Sequence, residues 1–152
     1  MSFLRLTALT QIARILSFIT VLALSTPLFA HASESIERSV TGEWRLTAAL
    51  DGAEITSLDE RQAKQLLGHV LTINKNKVQF GKTDCGETGF EAQKVEPRLH
   101  LRDEFHASSK KLGLPNPVTV VDLSCTSVFI KNRNRLVVFW QGWFFDAVRI
   151  SN

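Results

Sequence analysis

LVVFWQGWFFDAVRI, residues 136–150, is two apolar runs folded about Gln141-Gly142. The runs are short and rich in β-branched and aromatic residues, and the central dipeptide suits a two-residue hairpin turn. Paired around that turn, Leu136, Val138, Trp140, Trp143, Phe145 and Ala147 share one face of the hairpin. Val137, Phe139, Phe144, Val148 and Ile150 share the other. A hairpin apolar on both sides must line a core with one face and be covered on the other. The short helix expected after Ser57 is the natural cover.

Working back along the chain, the same strand signals recur. In GEWRLTAAL, residues 42–50, Trp44, Leu46, Ala48 and Leu50 alternate with Glu43, Arg45, Thr47 and Ala49, the period of a half-buried strand. Asp51-Gly52 ends it. Ser57 and Glu60 fit a capping box for a helix with Ala63, Leu66 and Leu67 on its apolar side, stopped at Gly68. Residues 69–73 and 78–80 flank the polar turn 74–77, and residues 90–95 are a further strand. DEFHASSKKL, residues 103–112, reads as a helix stopped by Gly113, Pro115 and Pro117. Strands at 118–123 and 126–131 precede the final hairpin. The whole is mainly β: a single antiparallel meander barrel of about eight strands with one or two short helices.

Ahead of this domain, Arg5 and Arg14 precede the apolar run 15–24 (ILSFITVLAL), and Pro27 precedes Ala30-His31-Ala32. This is the pattern of a signal peptide, residues 1–32, removed after Ala32 to leave a domain of residues 33–152. The apolar run is too short for a transmembrane helix, so no stable membrane insertion is expected after cleavage. Residues 33–40 are polar and expected to fray. The leader holds two of the 18 Lys and Arg and none of the 15 Asp and Glu, so the remainder carries 16 against 15, a net charge of +1. That balance gives no argument for nucleic acid as a partner. Cys85 and Cys125 are the two cysteines of a chain expected in the periplasm or outside the cell, and a disulfide is the simplest pairing there.

Gly42-Glu43-Trp44 on the first strand, with Arg149 on the last, resembles the closure signature of lipocalins and related calycin barrels. The resemblance implies that Arg149 packs across the Trp44 ring where the first and last strands meet, with Gly42, Trp44 and Arg149 structural. It also implies that a ligand would enter at the opposite end. The chain departs from that family in being short, in lacking a long helix after its last strand, and in carrying a helix between its first two strands. Trp44-Arg45-Leu46, with Gly52 and Cys85, also resembles the small envelope β-domains of the META/heat-shock type, without their glycine-rich motif.

Chemistry-bearing residues are sparse. His69, His100 and His106 have no metal-ligand spacing, so no metal site is expected. Asp103, Glu104, His106 and Ser108 hold the residue types of a hydrolase triad, but neighbours on one segment rarely reach triad geometry, and no nucleophile-elbow motif accompanies them. No catalytic residue and no cofactor are therefore expected. Lys131, Arg133 and Arg135 form a basic hairpin tip. The aromatic wall supplies the ligand candidates, Trp140, Trp143, Phe145 and Val138. The expected function is an exported binding protein for a small apolar ligand or envelope component. The alternative is a protein-interaction module, such as an inhibitor of a periplasmic or host enzyme, whose partner is an envelope protein.

Overall fold

The computed structural model describes residues 29–151, with side-chain environments over 34–150. The apolar run 15–24, Arg5, Arg14 and Pro27 lie outside the described residues. The elements in chain order are α1 (Phe29–Val40), β1 (Gly42–Gly52), α2 (Glu60–Gln65), β2 (Val70–Asn74), β3 (Lys77–Phe80), β4 (Thr83–Asp84), β5 (Glu91–Val95), α3 (Pro97–Phe105), β6 (Val118–Asp122), β7 (Ser127–Asn132), β8 (Arg135–Trp140) and β9 (Trp143–Ser151). All nine strands join one antiparallel sheet in the order β4-β3-β2-β1-β9-β8-β7-β6-β5. That order is an up-and-down meander with β9 returning beside β1. The ladder is continuous except between the two edge strands, β4 and β5, so the sheet is a curled barrel open along one seam.

The curl brings β1–β3 against β6–β9. Trp44, Leu46, Leu71, Ile73, Val78, Phe80, Val121, Val128, Leu136, Val138, Trp140, Phe145 and Ala147 join one buried cluster inside it. A second core lies on the outer face of β6–β9, where Val118, Val120, Phe129, Val137 and Phe144 meet Leu101 of α3 and Leu112 beyond it. Fully burying a side chain of this size is worth about 1.5–3 kcal/mol, so both layers contribute to stability. The final hairpin places Leu136, Val138, Trp140, Phe145 and Ala147 in the inner core and Val137, Phe139 and Phe144 in the outer one. Val148 joins neither and Ile150 is exposed, because the outer cover does not extend to the end of β9. Gln141 and Gly142 both have positive φ, 49° and 86°, as a two-residue turn matching strand twist demands.

Local structure departs from the sequence pattern in several places. Residues 33–40 are helical rather than frayed: Val40 is buried, Ile36 packs on the inner core, and the Val40 carbonyl accepts from Trp44 Nε1 at 2.7 Å. The alternation of β1 holds only to Leu46. A β-bulge between Leu46 and Ala48 shifts its phase, so Ala49 meets the inner core and Leu50 the outer one. The helix expected at 103–112 lies at Pro97–Phe105 instead. The Glu96 carboxylate caps the Arg98 and Leu99 amides, Pro97 takes the first helical position, and His106 in the left-handed region ends it. Finally, α3 rather than α2 covers the outer face, while Ala63 and Leu66 turn into the inner core. The capping box of α2 is Asp59 with Gln62, because the Ser57 amide is committed to the Gln141 carbonyl. That helix reaches its cap at Leu66, two residues before Gly68.

Cys85, just after β4, is bonded to Cys125 in the β6–β7 turn, with Cα atoms 5.6 Å apart. The bond spans the seam that the hydrogen-bond ladder leaves open. It is a feature of proteins that mature in oxidising surroundings. Among the described residues no helix is long and apolar enough to cross a membrane.

Candidate functional site

The two ends of the barrel are both occupied. At one end Trp44 and Arg149 are cross-strand partners in the β1–β9 ladder, and the guanidinium lies 4.1 Å from the indole centroid. Its nitrogens donate to the carbonyls of Thr41 (2.6 Å), Ser39 and Arg133 (3.1 Å), tying the end of α1 and the β7–β8 turn to the last strand. Burial pushes the Arg149 guanidinium down from its usual range. Gly42, at φ 132°, opens β1 in a conformation few other residues adopt.

At the other end the loop between β1 and α2 folds over the β8–β9 turn. Ala53 and Ser57 donate to the Gly142 and Gln141 carbonyls at 2.8 and 3.1 Å, and Trp143 Nε1 donates to the Leu58 carbonyl at 2.8 Å. Of the ligand candidates, Val138, Trp140 and Phe145 are buried in the inner core, and Trp143 packs against it. Trp140 packs against Phe80 in a tilted arrangement, with ring centroids 4.7 Å apart and planes inclined by 52°. The structure therefore places these four among packed neighbours.

The histidines stand apart from one another. His69 and His106 are exposed; His100 turns its Nε2 into the aromatic group of Phe105 and Phe129 without a hydrogen-bond partner. Among the described residues no three His, Cys, Asp or Glu side chains gather as a metal set. Asp103 pairs with Arg102 rather than with His106 or Ser108, and that bond holds its carboxyl below the usual range. In the basic tip, Lys131 and Arg135 are both spent on the largely buried Asp146, at 3.0 and 2.9 Å. Arg133 lines a groove of about 880 Å³ with Arg38 and Arg149.

A concave site that the sequence did not announce lies beside the seam, on the outer face. It has a volume of about 470 Å³ and is lined by residues of β5, β6, β7, β8, α3 and the turn carrying Cys125. Its backbone logic is a single cross-strand row: Glu91 opposes Asp122, Asp122 opposes Ser127, and Ser127 opposes Phe139. Directly opposed residues of antiparallel strands point to the same face, so this row presents two carboxylates, a hydroxyl and an aromatic ring together. Phe105 closes the apolar side, edge-on to Phe139 with centroids 4.7 Å apart. Ser127 donates to Asp122 Oδ1. Ser124, at φ 63°, donates to the Glu87 carbonyl (2.7 Å) and accepts from the Gly89 amide (3.2 Å), so the rim is fixed beside the disulfide. The register of β5 on β6 creates this site, and the two strands are separated by α3 and its following loop. No local pattern announces that pairing.

Comparison with protein-family models, curated proteins and solved structures finds no match for this chain.

Proposed function

We propose that this chain is an exported protein-interaction module of the periplasm or extracellular space, of the kind that inhibits or escorts an envelope or host enzyme. The observation that carries this reading is the packed interior. The side chains best suited to hold an apolar ligand, Val138, Trp140 and Phe145, are already buried against one another and against β1–β3. Recognition then falls to the surface, where β5 is a sheet edge with no further strand among the described residues, beside a concave cleft. Edge strands recruit extended segments of other chains through main-chain hydrogen bonds, with adjacent pockets supplying specificity. The leader pattern at residues 1–32 and the Cys85–Cys125 bond support an exported location.

The test places a photo-crosslinking residue at Gln93, exposed on β5, and at Gln62, exposed on α2, in protein produced by its own host. A single polypeptide adduct from position 93, absent from position 62, is expected. The competing reading is a carrier of a small apolar ligand. It would prevail if position 93 gave no adduct while a fatty acid quenched the tryptophan fluorescence in a saturable, equimolar titration.

A further inference from the structure

We infer that the cleft beside β5 receives a cationic side chain, an arginine or lysine, carried on an extended segment of the partner that adds to the β5 edge. This rests on the interaction reading above and assigns the chemistry of the contact.

Glu91 and Asp122 stand directly opposite each other on β5 and β6, and both line the cleft. Like charges in that relation destabilise a sheet. Neither carboxylate belongs to an ion pair: the pairs among the described residues involve Glu60, Asp84, Asp103, Asp51 and Asp146. Ser127 satisfies one oxygen of Asp122 and adds no charge. A strand added beside β5 would place one of its residues directly opposite Glu91, on the same face as Asp122. Opposed residues in a ladder have Cβ atoms about 4.5–5.5 Å apart, within reach of a long cationic stem. The guanidinium or ammonium would pass over Glu91 to reach Asp122, with its aliphatic stem along Glu91 and the Phe105 and Phe139 rings closing the cleft beyond its charged head. Aromatic faces beside anionic groups suit a cation on an apolar stem better than a hydrated metal ion. The sheet edge would supply orientation and the cleft would supply the charge-selective anchor.

The probe is a six-residue peptide of alternating threonine and valine with one central arginine, titrated into isotopically labelled protein by NMR. Its control replaces arginine with citrulline, which keeps the shape and loses the charge. Shifts confined to residues 91–95 and 122–127 are expected, with affinity at least about 10-fold weaker for the citrulline peptide. The E91Q and D122N variants should each weaken arginine-peptide binding. Without peptide, E91Q should raise the melting temperature by about 2 °C, because it removes a like-charge opposition. A purely structural role for Glu91 would give the opposite sign.

Equal affinity for the two peptides, shifts elsewhere, or no binding of either would overturn the inference. If the Gln93 adduct still forms in that case, the cation assignment alone has failed. If the adduct is also absent, the interaction reading has failed with it.

Discussion

Glu91 and Asp122 face each other across the β5–β6 ladder, and neither carboxylate is in an ion pair among the described residues. Asp146, largely buried on β9, is met by both Lys131 and Arg135, and the exposed Glu60 has Lys64 one turn away. The opposed pair Glu91 and Asp122, lining one cleft, is the feature on which the proposed docking of a cationic segment rests.

The closed end of the barrel depends on a stacked pair. Arg149→Lys keeps the charge but loses the planar face over Trp44 and the fork of donors to Ser39, Thr41 and Arg133. It should destabilise by roughly 1–2 kcal/mol in urea unfolding. Trp44→Ala should cost about 3–5 kcal/mol, since the indole is fully buried and its Nε1–H bond to Val40 is lost. A neutral Arg149→Lys would contradict the structural role given to the stack.

Much of this architecture was legible in the sequence because it rests on local signals. The final hairpin carries its turn, its pairing and its inner face within fifteen residues, and the structure follows them, but its outer face is covered only as far as Val137, Phe139 and Phe144, leaving Ile150 exposed. The alternation of β1 matches the structure to Leu46, after which a bulge shifts the phase without any glycine or proline to mark it. The start of α3 is marked by Glu96-Pro97, a helix entry, but the polar run 103–112 with its Gly113 and Pro115 stop is the stronger local helix signal and lies downstream of the true element. The cleft was not legible. It needs Glu91 and Asp122 in one register, which is set by how β5 and β6 pair across α3, and no residue near either announces it.

The seam between β4 and β5 has the disulfide in place of a ladder. Replacing both Cys85 and Cys125 with serine should cost about 4 kcal/mol, the chain-entropy value for a loop of 40 residues. Urea unfolding of the variant and thiol titration of the native protein check it. Two reactive thiols in native material would remove the disulfide from the account.

His100 buries Nε2 among aromatic rings with nothing to bond to. An unsatisfied buried polar atom costs about 1–3 kcal/mol, and phenylalanine has nearly the same shape. His100→Phe should therefore raise stability by about 1 kcal/mol, read as an upward shift in melting temperature. A fall would mean that the imidazole is bonded.

Gly142 brings the β8–β9 turn against the loop that covers the barrel end. A Cβ there would lie 2.6 Å from Thr56 Cα and 2.8 Å from the Ile55 carbonyl oxygen, at a φ of +86°. Gly142→Ala should destabilise by about 1–3 kcal/mol and loosen the loop. Hydrogen exchange at Ala53 and Ser57 reports the loosening, because those amides bond to the turn. Unchanged protection would show that the loop does not depend on the contact.

Native mass spectrometry of the protein isolated from its own compartment tests the central claim, a packed barrel that works through its open edge. The account predicts that a polypeptide is retained in a defined stoichiometry, and that it is lost or diminished when Glu91→Lys reverses the charge beside the edge. Retention of a small apolar molecule of a few hundred daltons, one per chain and indifferent to Glu91→Lys, would contradict it.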